Sequence, residues 1–329
     1  MSILVTHGSL RGGAAGIAGE RPTEVKEGPP RAVRPLPWAG VWLSAVALLG
    51  AAAASIATLA WDGAFPPPAL GPPSNGILGE ARGWSAVTLA LAIPLGVRAL
   101  LRAREARLRT VLTLAGARTR VVHVPARLSA VLTLAGVQAY LVYTYLEMAV
   151  SQPFTPLYLL YVATFATALP ALVLAVGSVR IPDLPAAFTA RAPRRTVAAF
   201  ALLYSTVLSA AWLKDILGRS FAGQFGWRDA YGTVAHVVHA LDLGLQVPLA
   251  VAAAILLWRR RPAGYLVGAI CVVMAACMGT ALAAMVAGSA LISGTTLLAA
   301  VPFAGLGAVS AALALLFFRA MPDQAAAGT

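Results

Sequence analysis

A chain of 329 residues that is 59% hydrophobic and only 11% charged, with a mean hydropathy of +0.79, is far from a soluble domain, where about a quarter of residues are charged. A net charge of +13 would suggest a nucleic-acid partner in a soluble protein; in a chain this apolar it is read by position along a membrane, and no nucleic acid is expected. The apolar runs lack the alternation of outer-membrane strands, which excludes a β-barrel, so the fold expected is an all-α polytopic transmembrane helix bundle whose first partner is the lipid bilayer.

Residues 1–37 are polar, rich in Gly and Pro and mixed in charge, the composition of a disordered tail. The apolar run that follows is too long for the core of a signal peptide and is expected as a retained first span. Eight runs have the roughly 20 residues that cross a hydrocarbon core of about 30 Å. They lie near 38–61, 84–103, 127–150, 155–179, 196–217, 237–258, 263–288 and 294–318. The bundle thus covers 38–319, with a short tail at 320–329. With the N-terminus inside, the inner segments hold all 25 basic residues except Arg82, Lys214, Arg219 and Arg228. The positive-inside rule then puts both termini in the cytoplasm.

Between the first two spans, Ala64 to Gly76 reads AFPPPALGPPSNG, a stiff, extended connection. After span two, ARLRTVLTLAG at Ala106 is repeated as ARLSAVLTLAG at Ala126, with changes only at Arg109/Ser129 and Thr110/Ala130. In the first copy the apolar stretch Val111–Ala117 lies between Arg109 and Arg118 and covers about 10 Å of helix, too little to cross. Residues 104–126 are therefore expected as a basic cytoplasmic insertion whose arginines can lie on anionic lipid. The second copy becomes span three.

Pro94, Pro170, Pro248 and Pro302 fall in spans two, four, six and eight. Each removes a helical hydrogen bond and predicts a kink. Span seven carries Gly264, Gly268, Ala275, Gly279, Ala283 and Ala287, small residues at the spacing that lets helices approach closely. Cys271 and Cys277 point to different faces of that span and are poor disulfide partners. Cys271, Met274 and Met278 are expected as packing residues.

A charged side chain within a bilayer costs roughly 2.5–3.5 kcal/mol at the centre, so the few present are candidates for function. In span six, HVVHALDLGLQVP puts His239, Asp242 and Gln246 on one face, with His236 a turn away. In span three, Tyr140, Tyr143 and Glu147 share the same spacing. Facing one another, these stripes would form an outward-facing polar pocket that binds or moves a small solute or ion, with Glu147, His239, Asp242 and Gln246 as its binding residues. The alternative is a membrane-embedded enzyme in which His236, His239 and Asp242 ligate a divalent metal, the cofactor that reading requires. A third reading is an accessory membrane protein whose polar residues only lock helices together. A transport route to the inside would need Gln138, Gln246, Thr164, Thr167, Ser205 and Ser209.

The blocks VTLALAIPL (87–95), LAGVQAYLVYTYLEMAV (134–150), TPLYLLYVATFATALPALVLAV (155–176) and LDLGLQVPLAVAAAILLWRRRPAGYLVGA (241–269) resemble a family of bacterial multi-pass membrane proteins of uncharacterised function. The resemblance implies a location in the bacterial cytoplasmic membrane and assigns no functional residue. The copy at Ala106 to Pro125 interrupts the family's passage from span two into span three.

Overall fold

The computed structural model describes residues 32–61, 64, 75–114, 126–151, 154–223 and 235–321. It is an all-α bundle of eight helices long and apolar enough to cross a membrane. They are α1 (Trp38–Ala60), α2 (Asn75–Val87, a π turn Thr88–Ala92, then Ile93–Leu114), α3 (Ala126–Ser151) and α4 (Tyr158–Gly177). There follow α5 (Arg194–Phe221), α6 (Ala235–Leu241, a π turn Asp242–Gln246, then Val247–Trp258), α7 (Pro262–Ser293) and α8 (a 3₁₀ turn Leu297–Ala300, then Val301–Arg319). In lipid every backbone polar group needs an internal partner, and these Ala-, Leu- and Val-rich runs meet that need as helices. Proline opens several of them, as Pro262 does in α7, and Gly294 closes α7 at φ 66°, a left-handed cap that costs glycine little.

The first repeat copy does not form a separate element at its start: α2 runs on through Ala106 to Leu114. Residues 115–125 lie outside the described residues, as do 1–31, 65–74 and 322–329, on which the expected tails and the Pro-rich connection mostly fall. Residues 32–37 pack back onto the bundle. Val33 bridges Val179, with Arg34 N–H donating to the Ser178 carbonyl at 2.7 Å and Arg180 N–H to that of Ala32 at 2.9 Å.

The helix α3 is the centre of the bundle. Of its most apolar window 78% is buried, against 22–39% for every other span. It packs on α2, α4 and α7, while α7 also packs on α2, α6 and α8. Elsewhere large apolar side chains point outward, such as Trp42, Leu49 and Leu159 at 67%, 70% and 76% exposure, as lipid-facing positions should.

The three glycines of the small-residue stripe of α7 lie at close helix contacts. A Cβ on Gly279 would lie 2.5 Å from the Gly307 nitrogen of α8, and Gly264 and Gly268 sit against Leu256 and Leu257 of α6. On its other side Gly288 and Ala284 lie against Gly79 and Gly83 of α2. Cys277 and Met278 are buried in the core, and Met274 packs against it.

The prolines behave unequally. Pro170 sits within a continuous α-helix, and Pro302 stands at the start of the α-helical part of α8. Pro94 and Pro248 each follow a π turn. The residue before each proline closes a bond five residues back, Ile93 N–H to the Thr88 carbonyl and Val247 N–H to the Asp242 carbonyl. A proline ring clashes with the carbonyl four residues earlier, and the wider turn relieves that clash while leaving fewer orphaned groups.

Candidate functional site

Asp242 stands at the first position of the π turn in α6 and is only 5% exposed. Both carboxylate oxygens are engaged. The Tyr143 hydroxyl of α3 donates to Oδ1 at 2.6 Å, and Gln246 Nε2, across the π turn, donates to the same oxygen at 2.6 Å. Trp212 Nε1 of α5 donates to Oδ2 at 2.7 Å. Behind Gln246, its Oε1 accepts from the Tyr204 hydroxyl at 2.9 Å, a second link from α5. One carboxylate therefore ties three spans, and its donors are all neutral groups. Hydrogen bonds to a charged acceptor are about twice as strong as neutral ones, and a π turn commonly marks a functional position.

A second layer lies a turn away. His239 Nε2 is 3.5 Å from Asp215 Oδ2 of α5, and its ring packs on Trp212 with centroids 4.5 Å apart. Arg219 Nε reaches both oxygens of Asp215, at 3.1 and 3.0 Å. His239 and Gln246 thus stand beside Asp242 as the helical spacing predicts. Glu147 instead accepts from the Ser151 hydroxyl one turn along α3, and the α3 group that meets Asp242 is Tyr143. His236 is exposed.

The expected metal set is not assembled: among the described residues no group of three or more His, Cys, Asp or Glu is placed to hold an ion. The reason is visible in the partners. Asp242 is taken up by Tyr143, Trp212 and Gln246, while His239 turns to Asp215.

Tyr204 and Trp212 belong to the cluster without having been singled out in the sequence. An aromatic residue inside an apolar span carries no mark of its polar edge.

A related contact lies deeper on α3. The Tyr140 hydroxyl and Thr88 Oγ1 are 2.9 Å apart, both residues buried at 0% and 1% exposure, and Trp84 stacks on Tyr140 at 6.0 Å. Of the residues expected to line a route inward, Thr164, Thr167 and Ser205 bond to carbonyls of their own helices. Gln138 is fully buried, with neither amide atom partnered among the described residues.

Comparison of the chain with protein-family models, with curated proteins and with solved structures finds no match.

Proposed function

We propose that this integral membrane protein, in a bacterial cytoplasmic membrane, binds or moves a small solute or ion, with Asp242 as the group that takes up a proton or ligates the cargo. One observation carries the reading: a buried carboxylate sits in a π turn next to a proline and is held by donors from two other spans. An ionisable group inside a membrane is costly and needs a reason for its place. Here every interaction holding it is a side-chain hydrogen bond that can be exchanged for a bond to a proton or cation without breaking the helix backbone. Opening of α5 and α6 around His239 and Asp215 would connect the carboxylate with the outer face. The sequence supports this orientation, because the positive-inside rule favours the cytoplasmic side for the arginine-rich stretch 98–127.

Infrared difference spectra of the full-length protein in nanodiscs test this reading. They would be recorded on exchanging acid for alkaline buffer, and then sodium or potassium for a bulky organic cation. A carboxyl or carboxylate band that vanishes in Asp242→Asn is expected in at least one exchange. Identical spectra for both proteins in every exchange would refute the proposal. That outcome would favour a lock between helices, the role of an accessory protein, which the full occupancy of both oxygens also suits.

A further inference from the structure

The two π turns share more than a proline. Six residues before each even-span proline stands a side-chain oxygen: Thr88 before Pro94, Thr164 before Pro170, Asp242 before Pro248 and Thr296 before Pro302. The same positions recur as TLALAIP, TFATALP, DLGLQVP and TLLAAVP. In α4 and α8 the side chain serves its own backbone. Thr164 donates to the Leu160 carbonyl, and Thr296 Oγ1 accepts from Leu298 N–H. In α2 and α6 the helix opens into a π turn at this residue, and the side chain reaches a tyrosine of α3, Asp242 to Tyr143 and Thr88 to Tyr140, Thr88 also donating to the Trp84 carbonyl of its own helix at 3.1 Å.

In both places one residue does two things. Its carbonyl accepts the five-back bond that defines the π turn, and its side chain is bonded to α3. Any change in the turn that rotates this residue must therefore move or break its tyrosine contact. Tyr140 and Tyr143 are three apart, neighbours on one helix surface, and α3 is the most buried helix of the bundle. A displacement of one tyrosine is transmitted to the other through a packed, hydrogen-bonded element, which is the kind of physical link that coupling requires.

We propose that α2 and α6 are two copies of one proline and π-turn hinge coupled through α3, with Thr88 and Tyr140 as positioning residues in α2 where Asp242 and Tyr143 stand in α6. The inference rests on reading Asp242 as the moving site and extends that site to a second helix, 52 residues from Tyr140 in sequence. Thr88 touches no cargo in this account; it sets the state of α2 according to the state of α6.

Hydrogen–deuterium exchange of the full-length protein in nanodiscs tests the coupling without any substrate. Loss of one buried hydrogen bond should speed local opening by about three- to tenfold. Tyr143→Phe is expected to speed exchange in 242–246 and also in 88–92, and Tyr140→Phe to speed it in the same two segments. Tyr145→Phe is the comparison. Its hydroxyl, on the same helix, donates to the Ala51 carbonyl of α1 at 3.1 Å, so its loss should leave both π turns unchanged. Thr88→Ser should keep the wild-type pattern and Thr88→Val should lose it. The proposal is overturned if each tyrosine variant affects only its own turn, or if Tyr145→Phe loosens both turns as much. Coupling observed alongside unchanged infrared spectra in Asp242→Asn would leave the hinge pair standing and remove the ion-binding reading.

Discussion

Asp242 is held where it is by donors chosen from three helices, and the strength of each contact follows from burial and charge. Trp212 Nε1 meets a carboxylate that is 5% exposed, so Trp212→Phe, which deletes the donor and part of the ring that packs on His239, should cost at least about 1.5–3 kcal/mol of stability. Arg219 and Asp215 form the closest ion pair of the second layer, yet the two side chains are 50% and 37% exposed. Arg219→Ala should cost less than about 1 kcal/mol. Reversible unfolding in mixed micelles measures both; a larger loss for Arg219→Ala than for Trp212→Phe would contradict this ordering. The face of α6 bearing His239, Asp242 and Gln246 was legible from spacing alone, because helical periodicity places those residues together whatever surrounds them. Trp212, Tyr204 and the turning of Glu147 to Ser151 were not, since they depend on how α5 and α3 rotate against α6, and nearly uniform apolar sequence leaves rotation unspecified.

Among elements, α7 shows how small residues settle such rotations. Its contact with α8 is backbone against backbone at Gly279 and Gly307, whereas Gly305, two residues along α8, has nothing within 4 Å of a built Cβ. Gly279→Leu should therefore force α7 and α8 apart and cost about 1–3 kcal/mol or more, while Gly305→Leu should be close to neutral. Thermal unfolding in detergent separates the two, and equal losses would count against the described interface. The small-residue stripe made this interface legible. The contact on the other side of α7, Gly288 and Ala284 against Gly79 and Gly83 of α2, was hidden because a small residue marks packing only with its partner known. Likewise the four prolines were visible, but not that only Pro94 and Pro248 follow π turns; the sequence difference between LAIP and TALP does not reveal which turn will widen.

At the scale of the whole molecule, the count of eight spans was readable because a bilayer sets a minimum apolar length for each of them. The centre of the bundle was not. α3 is less apolar than the other spans, with a mean hydropathy of 1.3 against 1.7–2.3, and that polarity is what the interior position uses: Tyr140, Tyr143 and Tyr145 each find a partner in a neighbouring helix. A helix with polar contacts on several sides is suited to carry motion between α2 and α6, and the functional reading depends on whether Asp242 drives it. Proton and alkali-cation flux into proteoliposomes under an imposed gradient measures this most directly, with the stability of each variant determined in parallel. The account predicts gradient-dependent flux for the wild type that Asp242→Asn abolishes while the variant remains folded, and that Asp242→Glu retains in part. Flux equal in wild type and a folded Asp242→Asn would contradict it.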